Sequence, residues 1–245
     1  MCHEAYQELA TPGIVMPMAE AELKDLLVTW VEGWASSRHY PTQSIGGFPA
    51  AQLTDRSGDW VAFAAEPSDE DFGRLAEFMS ASRDRVLAVL TDNHLRFRTL
   101  AEQHGLAVLG ADQELMVMDF EGKDVEEPWL NDDELKLRTE IEDSSATVTV
   151  ATQDGELAAS GHVAVADGFA VFDRIVTEPK YRRRGLGSFI MRALTAAVSE
   201  HGADQGLLIA SIDGQHLYHH LGWSDVSGVL MLKNASNPDG PSLND

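Results

Sequence analysis

A chain of 245 residues, 44% of them hydrophobic, is long enough to bury one large core or two small ones, which excludes global disorder. Forty acidic side chains against 18 basic ones give a formal net charge of −22; such a surface repels nucleic-acid phosphates and anionic membranes, and attracts cations and amines. Cys2 is the single cysteine, so no intramolecular disulfide and no thiolate cluster for zinc can form; Met1 to Met18 lack the basic start and apolar block of a signal peptide, and apolar runs such as Leu26 to Val31 are too short to cross a bilayer, so a cytoplasmic protein is expected.

Ala19 to Trp34 places Leu23, Leu26, Leu27, Trp30, Val31 and Trp34 at helical spacing. Tyr40 to Pro49, with its prolines and glycines, reads as loop. Trp60 to Ala65 reads as a strand, Phe72 to Ser82 as a helix and Arg85 to Leu90 as a buried strand. His94 to His104 reads as a helix closed by Gly105, and Leu115 to Phe120 as a strand. The acidic stretch Glu121 to Pro128 is the candidate boundary, dividing the chain into 1–125, 126–233 and a polar tail, 234–245, expected to be disordered. Asp132 to Glu142 reads as a helix with Asn131 as its cap. Ala146 to Thr152, Leu157 to Ala166 and Phe169 to Thr177 read as strands joined at Asp154-Gly155 and Asp167-Gly168. A helix from Gly185 to His201 stops at Gly202; a buried strand, Leu207 to Ser211, a short helix, Gln215 to Leu221, and a last strand, Val229 to Lys233, follow.

The chemistry concentrates where the strand ending at Thr177 runs through Glu178-Pro179-Lys180-Tyr181 into Arg182-Arg183-Arg184-Gly185-Leu186-Gly187-Ser188 and a helix. Glycines let an anion approach the backbone, and free N–H groups at a helix start suit a phosphate. Three consecutive arginines invert the sign of an acidic chain and add forked donors. The plain alternative is a solvated basic turn.

The run Arg182-x-x-Gly185-x-Gly187, between a strand and a helix, resembles the acyl-CoA signature of the GNAT acetyltransferase superfamily. Downstream, Leu207 to Ser211 and then Leu217-Tyr218-His219-His220-Leu221-Gly222-Trp223 resemble the family's fifth strand and the helix after it. The resemblance spans about Ala146 to Lys233. It implies a mixed, mostly antiparallel twisted sheet flanked by helices, an α+β fold. It implies direct acetyl transfer from acetyl-CoA to an amine without a metal. Arg182 to Ser188 would hold the pyrophosphate, the strand edge Ile175, Val176 and Thr177 the pantetheine arm, and Ser211, where the family often has Asn, would touch the cofactor. Tyr218 would protonate the leaving thiolate; its alternative is a core aromatic. An amine of pKa ~10 must lose a proton before attack, and a thiolate of pKa about 8.5 leaves better when protonated. Strand alternation puts Asp173 on one face with Ile175 and Thr177, so Asp173, or Glu178 at the strand end, is the candidate base. His216, His219 and His220 lack a completing carboxylate or cysteine and read as exposed histidines, not a metal site.

The first half echoes the second. Glu66-Pro67 and Gly73 precede Glu178-Pro179 and Gly185 by the same 112 residues, and Leu115-Met116-Val117 parallels Leu230-Met231-Leu232. This resembles a tandem GNAT arrangement with a degenerate first copy, in which Glu70, Asp71 and Phe72 replace the three arginines and repel a pyrophosphate. Chance likeness of two strand–helix units is the alternative. The expected activity is N-acetyl transfer from acyl-CoA to a small-molecule or peptide amine, with net acidity favouring a cationic acceptor. The competing readings are a non-catalytic acyl-CoA-binding or sensor module and a protein-interaction module on a worn fold.

Overall fold

In the computed structural model, which describes residues 19–122, 126 and 128–237, the apolar stripe from Leu23 to Trp34 forms the buried face of α1 (Glu20–Ser37). The strands and helices that follow are β1 (Thr42–Ile45), β2 (Phe48–Gln52), β3 (Trp60–Ala65), α2 (Asp69–Ser80), β4 (Val86–Leu90), α3 (His94–Gln103) and β5 (Leu106–Asp119). After a linker come β6 (Leu135–Glu142), β7 (Ser145–Thr152), β8 (Leu157–Ala166), β9 (Phe169–Thr177), α4 (Leu186–Val198), β10 (Gln205–Ala210), α5 (Ile212–Leu221) and β11 (Ser224–Asn234).

Among the described residues, eleven strands join one sheet in the order β1-β2-β3-β4-β11-β5-β10-β9-β8-β7-β6. Eight neighbouring pairs are antiparallel; β3–β4 and β9–β10 are parallel, with α2 and α4 as their crossovers. The order is palindromic when β1–β5 are matched with β7–β11, leaving β6 as an added edge strand. The closing strands of the two halves are exchanged. β5 pairs with β10 from Gln205–Asp119 to Ala210–Glu114, β11 pairs with β4, and the exchanged strands pair with each other at the centre. The boundary near residue 125 therefore falls in the β5–β6 linker, while β5 itself lies beside strands of the second half.

Strand alternation divides the core. Val86, Ala88 and Leu90 of β4, with Val171 and Leu207, face α1. Leu87 and Val89 face α2 and α3, and Phe172 and Leu208 face α4 and α5. The sheet thus carries α1 on one face and the other four helices on the opposite face.

Three expectations from sequence are corrected. Tyr40 to Pro49 is no loop: β1 and β2 form a hairpin around Gly46 and Gly47, whose φ values of 60° and 95° make the tight reversal that favours glycine. Asp132 to Glu142 is not a helix; Leu135 to Glu142 pairs with β7 along its whole length. Its Glu, Lys, Arg and Leu suit a helix, but Leu135, Leu137, Thr139 and Ile141 repeat with period two, and the intervening charges protect an edge. The tail is ordered beyond residue 233: Asn237, 8% exposed, donates from Nδ2 to the Arg83 carbonyl (3.0 Å) and to Asp84 Oδ1 (3.1 Å). Cys2, the first 18 residues and 238–245 lie outside the described residues. No described helix is long and apolar enough to cross a membrane.

Candidate active site

β9 and β10 run side by side for three rungs only, from Phe169–Gln205 to Val171–Leu207. Beyond them β9 continues to Thr177 and β10 to Ala210, each held on its outer side by β8 or β5. The strands splay, and the edge of β9 that faces the gap is left out of the ladder.

Within the gap β9 carries a bulge. Ser160 and His162 of β8 oppose Val176 and Asp173, so β9 has one extra residue there, and Arg174 takes φ 51°. The bulge resets the alternation. Ile175 turns toward α4, where its side chain crowds the position a Cβ on Gly161 would take beside Ile190 and Leu194, and Thr177 lies beside Gly187. Asp173 stays on the opposite face, under α1. The expectation that Asp173, Ile175 and Thr177 share a face therefore fails, because period two does not survive an inserted residue. Val176 is exposed.

Asp173 meets Arg38 at the end of α1. Arg38 Nε donates to Oδ2 at 2.6 Å and Nη2 to Oδ1 at 2.9 Å, a forked pair with both side chains largely buried. The guanidinium also lies 5.3 Å from the Trp34 ring centre. Removing a proton from an amine would make Asp173 give up this partner, which works against its use as a base. Glu178 is half-buried; its N–H donates to the Ala158 carbonyl (2.9 Å), and its carbonyl accepts from Tyr181 (2.8 Å).

Eight residues, 178–185, join β9 to α4. A 3-10 turn (Pro179–Tyr181) is anchored by buried Tyr181. Arg183 and Gly185 follow at φ 64° and 76°. Gly185 is the N-cap of α4 and supplies no side-chain cap; the first intrahelical bond runs from Phe189 N–H to Gly185 carbonyl. The N–H groups of Leu186, Gly187 and Ser188 thus have no acceptor within the helix. A Cβ on Gly187 would lie 2.9 Å from Leu217 Cδ2 of α5, so a side chain here would displace the Leu217 tip that packs against the helix start. Arg182, Arg183 and Arg184 are exposed; Arg182 Nε donates to the Thr177 carbonyl (3.2 Å), and Arg184 to Asp132 (2.5 Å), which fastens the β5–β6 linker to the turn. A basic, uncapped helix start has the chemistry that suits an anion.

Ser211 caps α5 by accepting the Gly214 N–H at 3.3 Å. Tyr218, 7% exposed, lies at the contact of α5 with the core and packs at 5.8 Å from the Trp223 ring. Burial, and then the charge of Asp173, push its phenol above the ordinary tyrosine value, so it stays protonated. His216, His219 and His220 are exposed on α5; His219 Nε2 pairs with Asp225 at 2.8 Å. Among the described residues no His, Cys, Asp and Glu group has metal-site geometry.

The 112-residue spacing holds for Glu66-Pro67 but not for the glycine: Gly73 is inside α2, whose start is marked by Ser68. Sequence reasoning also passed over Arg38, which reaches Asp173 across 135 residues, and over Trp30 and Trp34 as anything but a helix stripe. Nothing local marks such long-range contacts.

Residues 116–234 match the family model described as the Acetyltransferase (GNAT) domain. Among solved structures, the fold is similar to a GCN5-related N-acetyltransferase from Kribbella flavida, at 16% identity and TM-score 0.61 over 92% of this chain and 97% of that one. It is similar to a tandem GNAT protein from the clavulanic acid biosynthesis pathway, at 14% identity and TM-score 0.55 over 80% and 79%. A GCN5-related N-acetyltransferase from Sphaerobacter thermophilus matches at 13% identity and TM-score 0.53, also over 80% and 79%. At these identities the likeness is one of fold.

Proposed function

We propose, from the match of residues 116–234 to the GNAT acetyltransferase domain, that the chain moves an acetyl or other short acyl group from acyl-CoA to an amine by direct attack. The observation that carries the reading is the meeting of two features on one β–α–β unit: a parallel pair that opens after three rungs, and a basic helix start with three uncommitted N–H groups.

Acyl-CoA, when bound, supplies an acyl thioester. Leu186, Gly187 and Ser188 would hold its pyrophosphate through their N–H groups, with Arg182, Arg183 and Arg184 adding charge. The gap-facing edge of Ile175, Val176 and Thr177 would pair with the pantetheine amides, and Ser211 stands at the opposite lip. An N–H at Ile175 directed at the thioester carbonyl would stabilise the charge that develops on its oxygen. Tyr218 donates a hydrogen bond to the departing sulfur. Raised above its ordinary value, this phenol is a reluctant acid, so the hydrogen bond to a developing thiolate matters more than complete proton transfer.

One observation favours a second reading, binding without turnover: Asp173, a candidate base, is already engaged by Arg38. Calorimetric titration with acetyl-CoA, followed by release of free thiol with a panel of amines, separates the two. Binding with thiol release is expected. Binding without release for any amine would leave the sensor reading, and a flat titration at millimolar cofactor would remove both.

A further inference from the structure

Of the five tryptophans, Trp30, Trp34 and Trp223 are buried and Trp60 is half-buried. Trp129 is 87% exposed, more than any other large apolar side chain among the described residues. An apolar side chain in water is ordinary on a loose loop, but this one stands on a held segment. Pro128 is buried, and Leu130 packs against the cluster that contains Leu186 and Ile190 of α4. Arg184 binds Asp132 (2.5 Å), and Gln153 Nε2 donates to the Asp133 carbonyl (3.1 Å). The chain on both sides of the indole is fixed, while the indole itself faces solvent.

Strand register says where this segment lies. β5 ends beside the start of β10, at Asp119–Gln205, close to the C-terminal end of α4. β6 begins at the other end of the sheet. There Leu137 opposes Val150, Val150 opposes Ala159, and Ala159 opposes Thr177, the residue from which β9 enters the basic turn. The linker therefore runs along α4 toward its N-terminal end, on the face of the sheet that α4 covers. Asp132 meets Arg184 there, and Trp129 precedes Asp132 by three residues, a reach of at most about 11 Å along the chain.

We propose that Trp129 is the platform on which the adenine of acyl-CoA stacks, with the Arg184–Asp132 pair holding that platform beside the turn. The inference rests on the acyl-CoA reading, in which the pyrophosphate lies at the N–H groups of Leu186, Gly187 and Ser188. One ribose joins the adenine to that pyrophosphate, so the base comes to rest near the turn. A purine offers a flat π-face and keeps its polar edge in water, so an exposed indole suits it. An indole already in place lowers the cost of ordering the site when the ligand arrives. The chain carries a net charge of −22, which opposes a polyanion, and stacking adds affinity that this charge does not oppose. Arg184 is then a positioning residue as well as a charge, because its partner is the linker.

The test titrates CoA into the wild type by calorimetry and by tryptophan emission in parallel. Bound CoA is expected to quench the red-shifted emission of the exposed indole, and the quench is expected to vanish in Trp129→Phe. Trp129→Ala is expected to weaken CoA at least about tenfold, and Trp129→Phe, which keeps a ring, less than about threefold. Affinity for 4′-phosphopantetheine, which has no adenine, is expected to be the same in all three proteins. Calorimetric binding of CoA without a Trp129-dependent quench, unchanged CoA affinity in Trp129→Ala, or an equal loss of 4′-phosphopantetheine affinity would overturn the platform. The emission of the wild type against Trp129→Phe decides the matter if Trp129→Ala does not fold. Failure of the wild type to bind CoA would instead remove the acyl-CoA reading beneath the proposal.

Discussion

The chain builds the same unit twice, and only one copy is open. In β3–α2–β4 the parallel strands pair over five rungs, from Val61–Val86 to Ala65–Leu90; in β9–α4–β10 they pair over three. Three residues, 66–68, lead into α2, where Ser68 accepts the Asp71 N–H and Asp69, Glu70 and Asp71 fill the first turn. Eight residues, 178–185, lead into α4, which has no side-chain cap and no acid in its first turn. The first helix start is satisfied internally and negatively charged; the second is unsatisfied and basic. Suitability for an anion is thus not a property of the fold. It appears where pairing is left incomplete and a helix start is left without its usual cap.

The sharpest way to break this comparison is to fill one glycine in each crossover helix. Gly187→Val drives a side chain against Leu217 of α5, so that the start of α4 and α5 must shift apart, and should weaken acetyl-CoA binding at least a hundredfold by calorimetry. Gly73→Ala should leave affinity unchanged and raise stability by up to about 1 kcal/mol in denaturant titration. Its Cβ meets nothing closer than His104 at 3.7 Å, and alanine suits a helix interior better than glycine. Equal losses of affinity would mean that the first half binds cofactor too.

Tyr218→Phe keeps the ring packing and removes the donor. Turnover should fall about a hundredfold at saturating substrates with cofactor affinity little changed. Because burial and Asp173 raise the wild-type phenol, activity should show no loss from its ionisation up to the ordinary tyrosine value near ~10. Unchanged turnover in the variant would reduce Tyr218 to a wall.

A smaller effect tests the seam between the halves. Glu114 of β5 lies opposite Ala210 of β10 and Gly228 of β11, and its carboxyl is pushed up to about 7 by burial and by Asp225 and Asp92, against an opposing effect of His219. The native state therefore binds more protons than the unfolded chain between about 4.5 and 7. Stability falls as pH rises through that window, by about 1 kcal/mol for a half-buried group screened by solvent. Glu114→Gln should flatten this slope in denaturant midpoints taken from pH 5 to 8; an unchanged slope would place the pH dependence elsewhere. Last, Ser68→Ala should cost about 1 kcal/mol of stability and leave cofactor affinity untouched, since that cap serves α2 alone.

Local signals in the sequence carried much of this. Helices with an apolar stripe, strands bounded by Asp-Gly turns and the glycine–arginine turn were all legible, because each is written in neighbouring residues. What was not legible was set by pairing across distance. β6 carried helix-forming residues that its pairing with β7 overrides, and the Arg174 bulge turned Ile175 to the face opposite Asp173. The exchange of β5 and β11 has no local signature, since either partner would bury the same Leu and Met side chains. The partnership of Arg38 with Asp173 joins residues that no motif relates.

The exchange also fixes an order of events during synthesis. β11 is made after every other strand, yet it sits at the middle of the sheet, between β4 and β5. A nascent chain that already contains the basic turn still lacks the centre of its sheet, and leaves one edge of β4 and one of β5 bare. Until Ser224–Asn234 has emerged from the ribosome, these edges are open to pairing with other chains. The first half cannot finish folding ahead of the second, so this protein is assembled as one late event rather than domain by domain.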